Sequence, residues 1–188
     1  MKRTAHFFGC CVLAFAFAGA AAPVGAQTLG TPAVEIGAGL QFLHIPGETY
    51  PFGWNLDLSG PVGDHQVVRW VGEGGYARAN PLPVETLSFY HFGAGVRLMP
   101  ANRHRPAPFF QLLGGAAYSK NQATEVGLWG PMVQPGVGVS VPLNHYVAVF
   151  GQADYRWALL HPVADNPAFG WDADNEFRFA FGARFMLW

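Results

Sequence analysis

The sequence predicts an all-β fold, an eight-stranded antiparallel up-and-down transmembrane β-barrel, and three observations support that prediction. The chain of 188 residues is 51% hydrophobic and only 12% charged, which is little charge for a water-soluble domain. No window reaches the roughly 18 unbroken apolar residues of a membrane-spanning helix. After Gln27, apolar and polar residues alternate repeatedly with the period of two that is typical of strands with two different faces.

The amino-terminal segment is interpreted as an export signal. Two basic residues at the start of the chain are followed by an apolar run over residues 7–22 and by small residues up to Ala26. We therefore expect residues 1–26 to be a cleaved signal peptide and residues 27–188 to form one outer-membrane barrel domain.

The composition argues against several function classes. Both cysteines, Cys10 and Cys11, lie in the signal segment, so we expect no disulfide or thiolate chemistry in the mature chain. A lipoprotein signal at Cys10 is the alternative, but its very early position and the phenylalanines before it make a poor lipid-attachment box. Outside the signal segment, nine basic residues stand against twelve acidic ones, which offers no electrostatic footprint for nucleic acid.

Eight segments carry the alternation, and each is predicted to be one strand. Strand lengths of about eleven residues suit a tilted crossing of the hydrocarbon layer. The predicted strands span 33–43, 52–59, 67–77, 88–98, 109–119, 131–141, 146–158 and 175–187. In that order, their apolar faces include Phe42, Trp54, Trp70, Phe92, Phe110, Val137, Trp157 and Phe179. The opposite, glycine-rich faces include Gln41, Asp57, Arg69, His91, Gln111, Gln134, Asp154 and Arg178.

Seven turn-rich segments connect these strands, as eight meandering strands require. They span 44–51, 60–65, 78–86, 99–108, 120–130, 142–145 and 159–174. With the amino terminus on the periplasmic side, the first, third, fifth and seventh connections face outward, and two of the three inward ones are short, as is usual for such barrels. Pro135 lies inside the sixth predicted strand, where it removes a ladder hydrogen bond and marks either a weaker strand or a bulge.

The charged residues of the predicted strands lie on the glycine-rich faces. A soluble sandwich or lipocalin would turn such faces toward water, whereas a membrane barrel encloses them. Five acids and five arginines are costly in a narrow lumen unless they are paired and hydrogen-bonded. We therefore predict a lumen ion-pair network of Glu35, Asp57, Arg69, Glu73, Arg97, Asp154, Arg156, Glu176, Arg178 and Arg184.

Aromatic residues near the ends of the apolar faces favour the membrane alternative, because such residues form girdles at membrane interfaces. The glycines of the charged faces also favour the membrane alternative, since they leave room for long charged side chains in a narrow lumen. The predicted girdle consists of Trp54, Trp70, Tyr76, Tyr90, Tyr118, Tyr155 and Trp157.

From Gly53-Trp54-Asn55 onward, the chain contains several short sequence motifs in a characteristic order. They are Phe92-Gly93-Ala94-Gly95-Val96-Arg97, Pro108-Phe109 with Gly114-Gly115, Gly136-Val137-Gly138-Val139 and Gln152-Ala153-Asp154-Tyr155-Arg156. In these pieces the chain resembles the small bacterial outer-membrane β-barrel domains of the opacity-protein and outer-membrane-protein-A type. The resemblance implies location in the outer membrane, with its lipid and the barrel-assembly machinery as partners.

The resemblance also implies an insertion signal at the carboxyl end, where such barrels usually finish on an aromatic residue. The candidates are Phe185, Leu187 and Trp188. Trp188 is aromatic and terminal, whereas the apolar alternation ends on Leu187, so either residue could be the anchor.

The leading functional hypothesis is a non-enzymatic structural or surface-interaction barrel, with an extracellular partner that the sequence does not name. One alternative is a lipid-acyl-modifying barrel enzyme, but its candidate residues Ser88, His91, His44 and His161 do not converge, since Ser88 and His91 lie on opposite faces of one strand. The other is a narrow pore for small apolar solutes that opens sideways near Pro135. The histidines are scattered, so we expect no metal or cofactor.

Overall fold

The computed structural model describes residues 32–45, 48–63, 65–82, 85–100, 106–122, 124, 127–162 and 172–188. Of residues 48, 65, 66, 81, 82, 85, 162 and 172–174 it describes the backbone alone. The predicted signal peptide, residues 1–26, lies outside the described residues. Within the described ranges, no helix is long and apolar enough to cross a membrane.

Eight strands form one closed antiparallel barrel, in which each strand pairs with its neighbours along the chain and the last pairs with the first. This confirms the predicted fold class, and every predicted strand overlaps an observed one. The strands are β1 (Val34–Ile45), β2 (Glu48–Val62), β3 (His65–Leu82), β4 (Glu85–Leu98), β5 (Ala107–Asn121), β6 (Gly127–Pro142), β7 (Val147–Pro162) and β8 (Asp172–Leu187).

The strands run further than predicted at the end of the barrel opposite the chain termini, which we call the loop end. β3 reaches Leu82 and β7 reaches Pro162, and Arg78 still pairs with Ser88. Closure gives every strand two neighbours, so residues with turn propensity stay in the ladder here. The predicted connections 44–51, 78–86, 120–130 and 159–174 are therefore too long. The predicted connection 60–65, at the other end, is also too long, because β2 reaches Val62 and β3 begins at His65.

Pro135 produces no bulge, so that part of the prediction is wrong. The register between β6 and β7 is unchanged across it, from Met132 opposite Ala158 to Gly136 opposite Asp154. Pairing with β5 also continues through Pro131 and Pro135, whereas pairing with β7 skips both. Proline has no N–H to donate, so the ladder loses bonds on the β7 side without a change of register.

The two faces of each strand have opposite chemistry. Outward side chains are large and apolar, and Phe52 and Phe92 are 62% and 67% exposed. Inward side chains are charged, amide or small, with apolar groups toward both barrel ends. Because side chains alternate along a strand, every strand contributes to both faces.

The lumen is layered along its axis. At the end that holds the chain termini, which we call the termini end, Met99, Ala107 and Phe109 form the termini-side apolar cluster. Buried charged and amide residues lie between it and the loop end. The larger loop-side apolar cluster consists of Leu43, Tyr50, Ala77, Ala79, Phe89, Ala117, Met132, Ala158 and Leu160.

Candidate functional site

The ten charged residues predicted to face the lumen all lie inside the barrel, and each is at most 2% exposed. They form two groups along the axis. The central cluster contains Glu73, Asp154, Arg156, Glu176 and Arg178. The termini-side charged cluster contains Glu35, Asp57, Arg69, Arg97 and Arg184.

Arg178 is the hub of the central cluster. Its Nε donates to Asp154 Oδ2 at 2.8 Å, and its Nη1 lies 2.5 Å from Glu73 Oε1. The same Nη1 donates to Gln41 Oε1 at 3.0 Å and lies 3.2 Å from His91 Nε2. A guanidinium presents its donors as a rigid planar fork, which lets Arg178 hold acids from two different strands at once.

Arg156 joins the central cluster to the loop-side apolar cluster. Its Nη1 donates to Glu176 Oε2 at 2.7 Å, and its Nε donates to Gln134 Oε1 at 2.8 Å. Its guanidinium carbon lies 5.1 Å from the centroid of the Phe89 ring, which belongs to the apolar cluster. One side chain therefore contacts both layers, through hydrogen bonds and a cation–π contact.

Glutamines bridge the charges, and the set of charged residues predicted from the sequence omits them. Gln134 Nε2 donates to Glu73 at 3.3 Å, and Gln111 Nε2 donates to Asp154 at 3.1 Å. Gln152 Nε2 lies 3.2 Å from both acids. The sequence did contain a signal for them, because these amides share the glycine-rich faces with the charges.

Among the described residues, the termini-side charged cluster has fewer hydrogen bonds between its charged groups than the central cluster. Arg97 donates to Asp57 Oδ1 at 3.0 Å and to Gln111 Oε1 at 3.1 and 2.8 Å. Arg184 Nε lies 3.5 Å from the same oxygen of Asp57, so two arginines share it. Arg69 Nη2 lies 3.6 Å from Glu35. Three arginines thus meet two acids in this cluster, whereas the central cluster has two arginines and three acids.

Aromatic rings hold Arg184. Its guanidinium carbon lies 4.7 Å from the centroid of Phe109 and 4.3 Å from that of Phe150. Within the described part of the chain, none of its three guanidinium nitrogens has a hydrogen-bond partner. Arg184 is therefore held by cation–π contacts and one shared ion pair.

Glycines beside the acids make room for the network. A Cβ atom added at Gly37 would collide with the carboxylate of Asp57, and one added at Gly136 would collide with that of Asp154. The combination of charge and glycine on one face therefore has a steric cause.

The residues considered for catalysis do not come together. His91 lies inside the barrel, 3.4 Å from Glu73, and Ser88 lies on the opposite face of β4. The ring of His44 contacts the Thr49 hydroxyl at 2.9 Å, and His161 belongs to β7. Among the described residues, no three or more His, Cys, Asp and Glu side chains are grouped so that they could hold a metal ion.

Aromatic side chains form a row around the loop end of the outer wall. Trp54, Tyr76, Tyr90, Tyr118 and Trp129 lie opposite one another in register on five consecutive strands, β2 to β6, and we call them the aromatic row. The rings of the three tyrosines have centroids 4.9 and 6.1 Å apart. The predicted girdle omits Trp129, which is 51% exposed.

The other predicted girdle residues lie away from this row. Tyr155 contacts Trp157 at 4.8 Å between centroids and Phe177 at 5.0 Å, on β7 and β8. Trp70 lies nearer the termini end, opposite Gly60. Of the seven predicted residues, only Trp54, Tyr76, Tyr90 and Tyr118 therefore lie in the aromatic row.

The carboxyl end is fixed against a turn. Phe185 and Leu187 point outward and are each 51% exposed, as the alternation predicts. Trp188 follows β8, and its ring stacks on His145 with centroids 4.1 Å apart. Its Nε1 also donates to the backbone oxygen of His145 at 2.9 Å. Which of these residues acts as the insertion signal stays a prediction.

A closed barrel of eight strands, apolar outside and charged inside, has the fold of the small outer-membrane β-barrels. Neisserial surface protein A is similar with a TM-score of 0.63 and 11% identity, over 82% of this chain and 96% of that one. The outer membrane protein OprG from Pseudomonas aeruginosa has a TM-score of 0.55 and 10% identity, over 83% and 97%.

A third similar structure is Ail, the attachment invasion locus protein of Yersinia pestis, in complex with the heparin analogue sucrose octasulfate. It has a TM-score of 0.53 and 14% identity, over 81% of this chain and 95% of that one. No family model and no curated protein matches this chain. At such low identity the likeness shows the fold alone, and it confirms the resemblance to small outer-membrane barrels inferred from the sequence.

Proposed function

We propose that the protein is a non-enzymatic outer-membrane barrel that supports surface loops and whose lumen is closed by ion pairs. The observation that carries this proposal is the meeting of Glu73, Asp154 and Arg178, from β3, β7 and β8, at the centre of the lumen. An eight-stranded barrel has room for little more than its own side chains. Since apolar clusters lie on both sides of this centre, we expect no continuous water channel.

The outer wall supports location in a membrane. Its exposed residues include Phe52, Phe92 and Phe179, each more than half exposed. A wall of this kind suits the hydrocarbon of a bilayer, and a closed barrel leaves no strand edge unpaired there. We propose that outer-membrane lipid surrounds the barrel, that the barrel-assembly machinery inserts it, and that a signal peptide at residues 1–26 directs its export.

A surface-interaction role is supported by the kind of protein that shares this fold. One similar structure is described as a surface protein, and another as an attachment protein bound to a heparin analogue. In barrels of this type a rigid wall positions loops that carry function. We propose that the outward connections of this chain contact an extracellular partner.

A conduit for small apolar solutes is the second candidate, and one observation favours it. Pairing between β6 and β7 skips Pro131 and Pro135. Met132 and Ala158, which belong to the loop-side apolar cluster, lie on the inner side of the same wall. A sideways passage would therefore join an apolar part of the lumen to the membrane.

Gel mobility and conductance test the main proposal. We expect the detergent-refolded chain to migrate differently before and after boiling and to show no steady conductance in a planar bilayer. A variant that removes the central pair and one large side chain from each apolar cluster, Glu73→Ala/Arg178→Ala/Phe89→Ala/Phe109→Ala, should conduct, whereas the outward variant Phe92→Ala should not. Steady conductance of the unmodified chain would contradict the closed lumen, and absence of any heat shift would contradict the barrel in a membrane.

Flux measurements separate the two candidates. If the lumen is closed, the rate at which a small apolar dye enters liposomes should be the same with and without the unmodified barrel. If the barrel speeds entry and Pro131→Val/Pro135→Val abolishes the effect, the conduit is favoured instead, because valine restores the N–H groups that can close the ladder to β7.

A further inference from the structure

Only a small part of the chain's positive charge lies on its described outer wall. Of nine lysines and arginines after residue 26, five are in the lumen and two, Arg103 and Arg105, lie outside the described residues. The remaining two are Arg78 on β3 and Lys120 on β5, both near the loop end.

Arg78 and Lys120 lie in one hydrogen-bonded row of the sheet. Arg78 is opposite Ser88, and Ser88 is opposite Lys120, on three consecutive strands. The two basic positions are therefore two strand spacings apart, about 10 Å. Ser88 itself is 1% exposed and contacts Tyr76 and Gln122, but both basic side chains are long enough to reach one group that lies outside these side chains.

The row that contains Arg78, Ser88 and Lys120 lies next to the aromatic row, on its loop-end side. Tyr76, Tyr90 and Tyr118 precede it by two residues along each strand toward the membrane centre, and they are also opposite one another. Tyrosines of a girdle mark the boundary between hydrocarbon and headgroups. A further two residues along a strand, about 7 Å, reach the level of the headgroups themselves.

The described hydrogen-bond partners of Arg78 are neutral. Arg78 donates to Asn80 Oδ1 at 3.3 Å and lies 3.5 Å from the Thr86 hydroxyl, and Gln122 Nε2 donates to the Ser88 hydroxyl at 3.2 Å. Among the described residues, no carboxylate forms an ion pair with Arg78 or Lys120. These contacts hold the arginine in place without neutralising its charge.

We propose that Arg78 and Lys120 form a binding site for the phosphate of an anionic lipid headgroup whose acyl chains pack beside the three tyrosines. The inference rests on the proposed membrane location. Arginine pairs with phosphate through two parallel hydrogen bonds, and lysine adds a point charge. The lipid is therefore held by charge at the level of Ser88 and by apolar contact below it.

Native mass spectrometry of the refolded full chain tests the site. Phosphatidylglycerol and phosphatidylcholine with identical acyl chains serve as probes. We expect the chain to retain phosphatidylglycerol in preference to phosphatidylcholine. In Arg78→Gln/Lys120→Gln this preference should fall about tenfold, since each basic residue contributes modestly to binding an anionic headgroup. Lys120→Arg, which keeps the charge, should retain it.

The matched control is Arg103→Gln/Arg105→Gln, which removes the same charge from residues that lie between β4 and β5 in the sequence. If this control loses the preference equally, the effect is net charge and the site is wrong. If inorganic phosphate displaces the lipid fully, the site binds free anions and the lipid proposal is wrong. A chain without a heat-modifiable band would instead contradict the membrane barrel, so the two failures are distinguishable.

Discussion

The two charged clusters of the lumen use the same residue types but differ in how well they are satisfied. In the central cluster Arg178 reaches Asp154, Glu73 and Gln41 at 2.5–3.0 Å. In the termini-side charged cluster Arg184 is 3.5 Å from its acid and makes no hydrogen bond to the described residues. A buried guanidinium is stabilised by its hydrogen bonds more than by proximity to a charge alone. The comparison therefore predicts that the two clusters differ in their tolerance of substitution.

Removal of Arg178 should have the largest effect. Arg178→Met leaves Glu73 and Asp154 buried without their shared cation, and breaking a buried pair in this way costs about 3–5 kcal/mol. Urea unfolding of the refolded protein in detergent, followed by tryptophan fluorescence, measures the loss in unfolding free energy. Arg178→Lys keeps the charge but not the fork, so it should lose less. Equal losses for both variants would mean that the charge contributes nothing without the fork, and no loss for Arg178→Lys would mean that the fork geometry contributes nothing.

Replacing a glycine beside an acid by alanine tests how firmly each cluster holds that acid. Gly136→Ala presses on Asp154, which Arg178, Gln111 and Gln152 hold from three sides, so its carboxylate cannot move aside. We expect a loss of about 1–3 kcal/mol, as for overpacking of a core.

The corresponding change in the other cluster should cost less. Gly37→Ala presses on Asp57, whose contacts with Arg97 and Arg184 both reach one oxygen, so the carboxylate has more freedom. Gly72→Ala is the control, since a Cβ atom there meets nothing within 4 Å. A larger loss for Gly37→Ala than for Gly136→Ala, in the same urea unfolding experiment, would reverse the comparison.

The alternation of side chains was enough to predict which residues enter the lumen but not which of them pair. Arg178 and Asp154 face each other on adjacent strands, a contact that register alone could suggest once β7 and β8 are aligned. Glu73 and Arg178, however, come from β3 and β8, which are not neighbours, and meet only across the lumen. Such contacts depend on the stagger of the closed barrel and on rotamers, neither of which the alternation of faces specifies.

The same limit explains the errors at the loop end. Arg78 and Asn80 have the composition of a turn, yet they remain in β3 because closure supplies a neighbouring strand. Trp129 was missed as a girdle residue because it lies in a segment predicted to be a connection. Local composition therefore predicted the central part of each strand well and the strand ends poorly.

Arg184→Met should have the smallest effect and is the sharpest test of the comparison. Methionine keeps apolar contact with Phe109 and Phe150, no hydrogen bond to a described residue is lost, and Asp57 keeps Arg97 as its partner at 3.0 Å. The substitution also removes the excess cation from a cluster of three arginines and two acids. Replacing a poorly satisfied buried charge by an apolar side chain of similar size is often neutral or stabilising, so we expect a change within about 1 kcal/mol in either direction. The measurement is again urea unfolding in detergent, beside Arg178→Met. A loss as large as that of Arg178→Met would mean that Arg184 is held by partners beyond its two rings and Asp57, and that the two clusters are equally well satisfied.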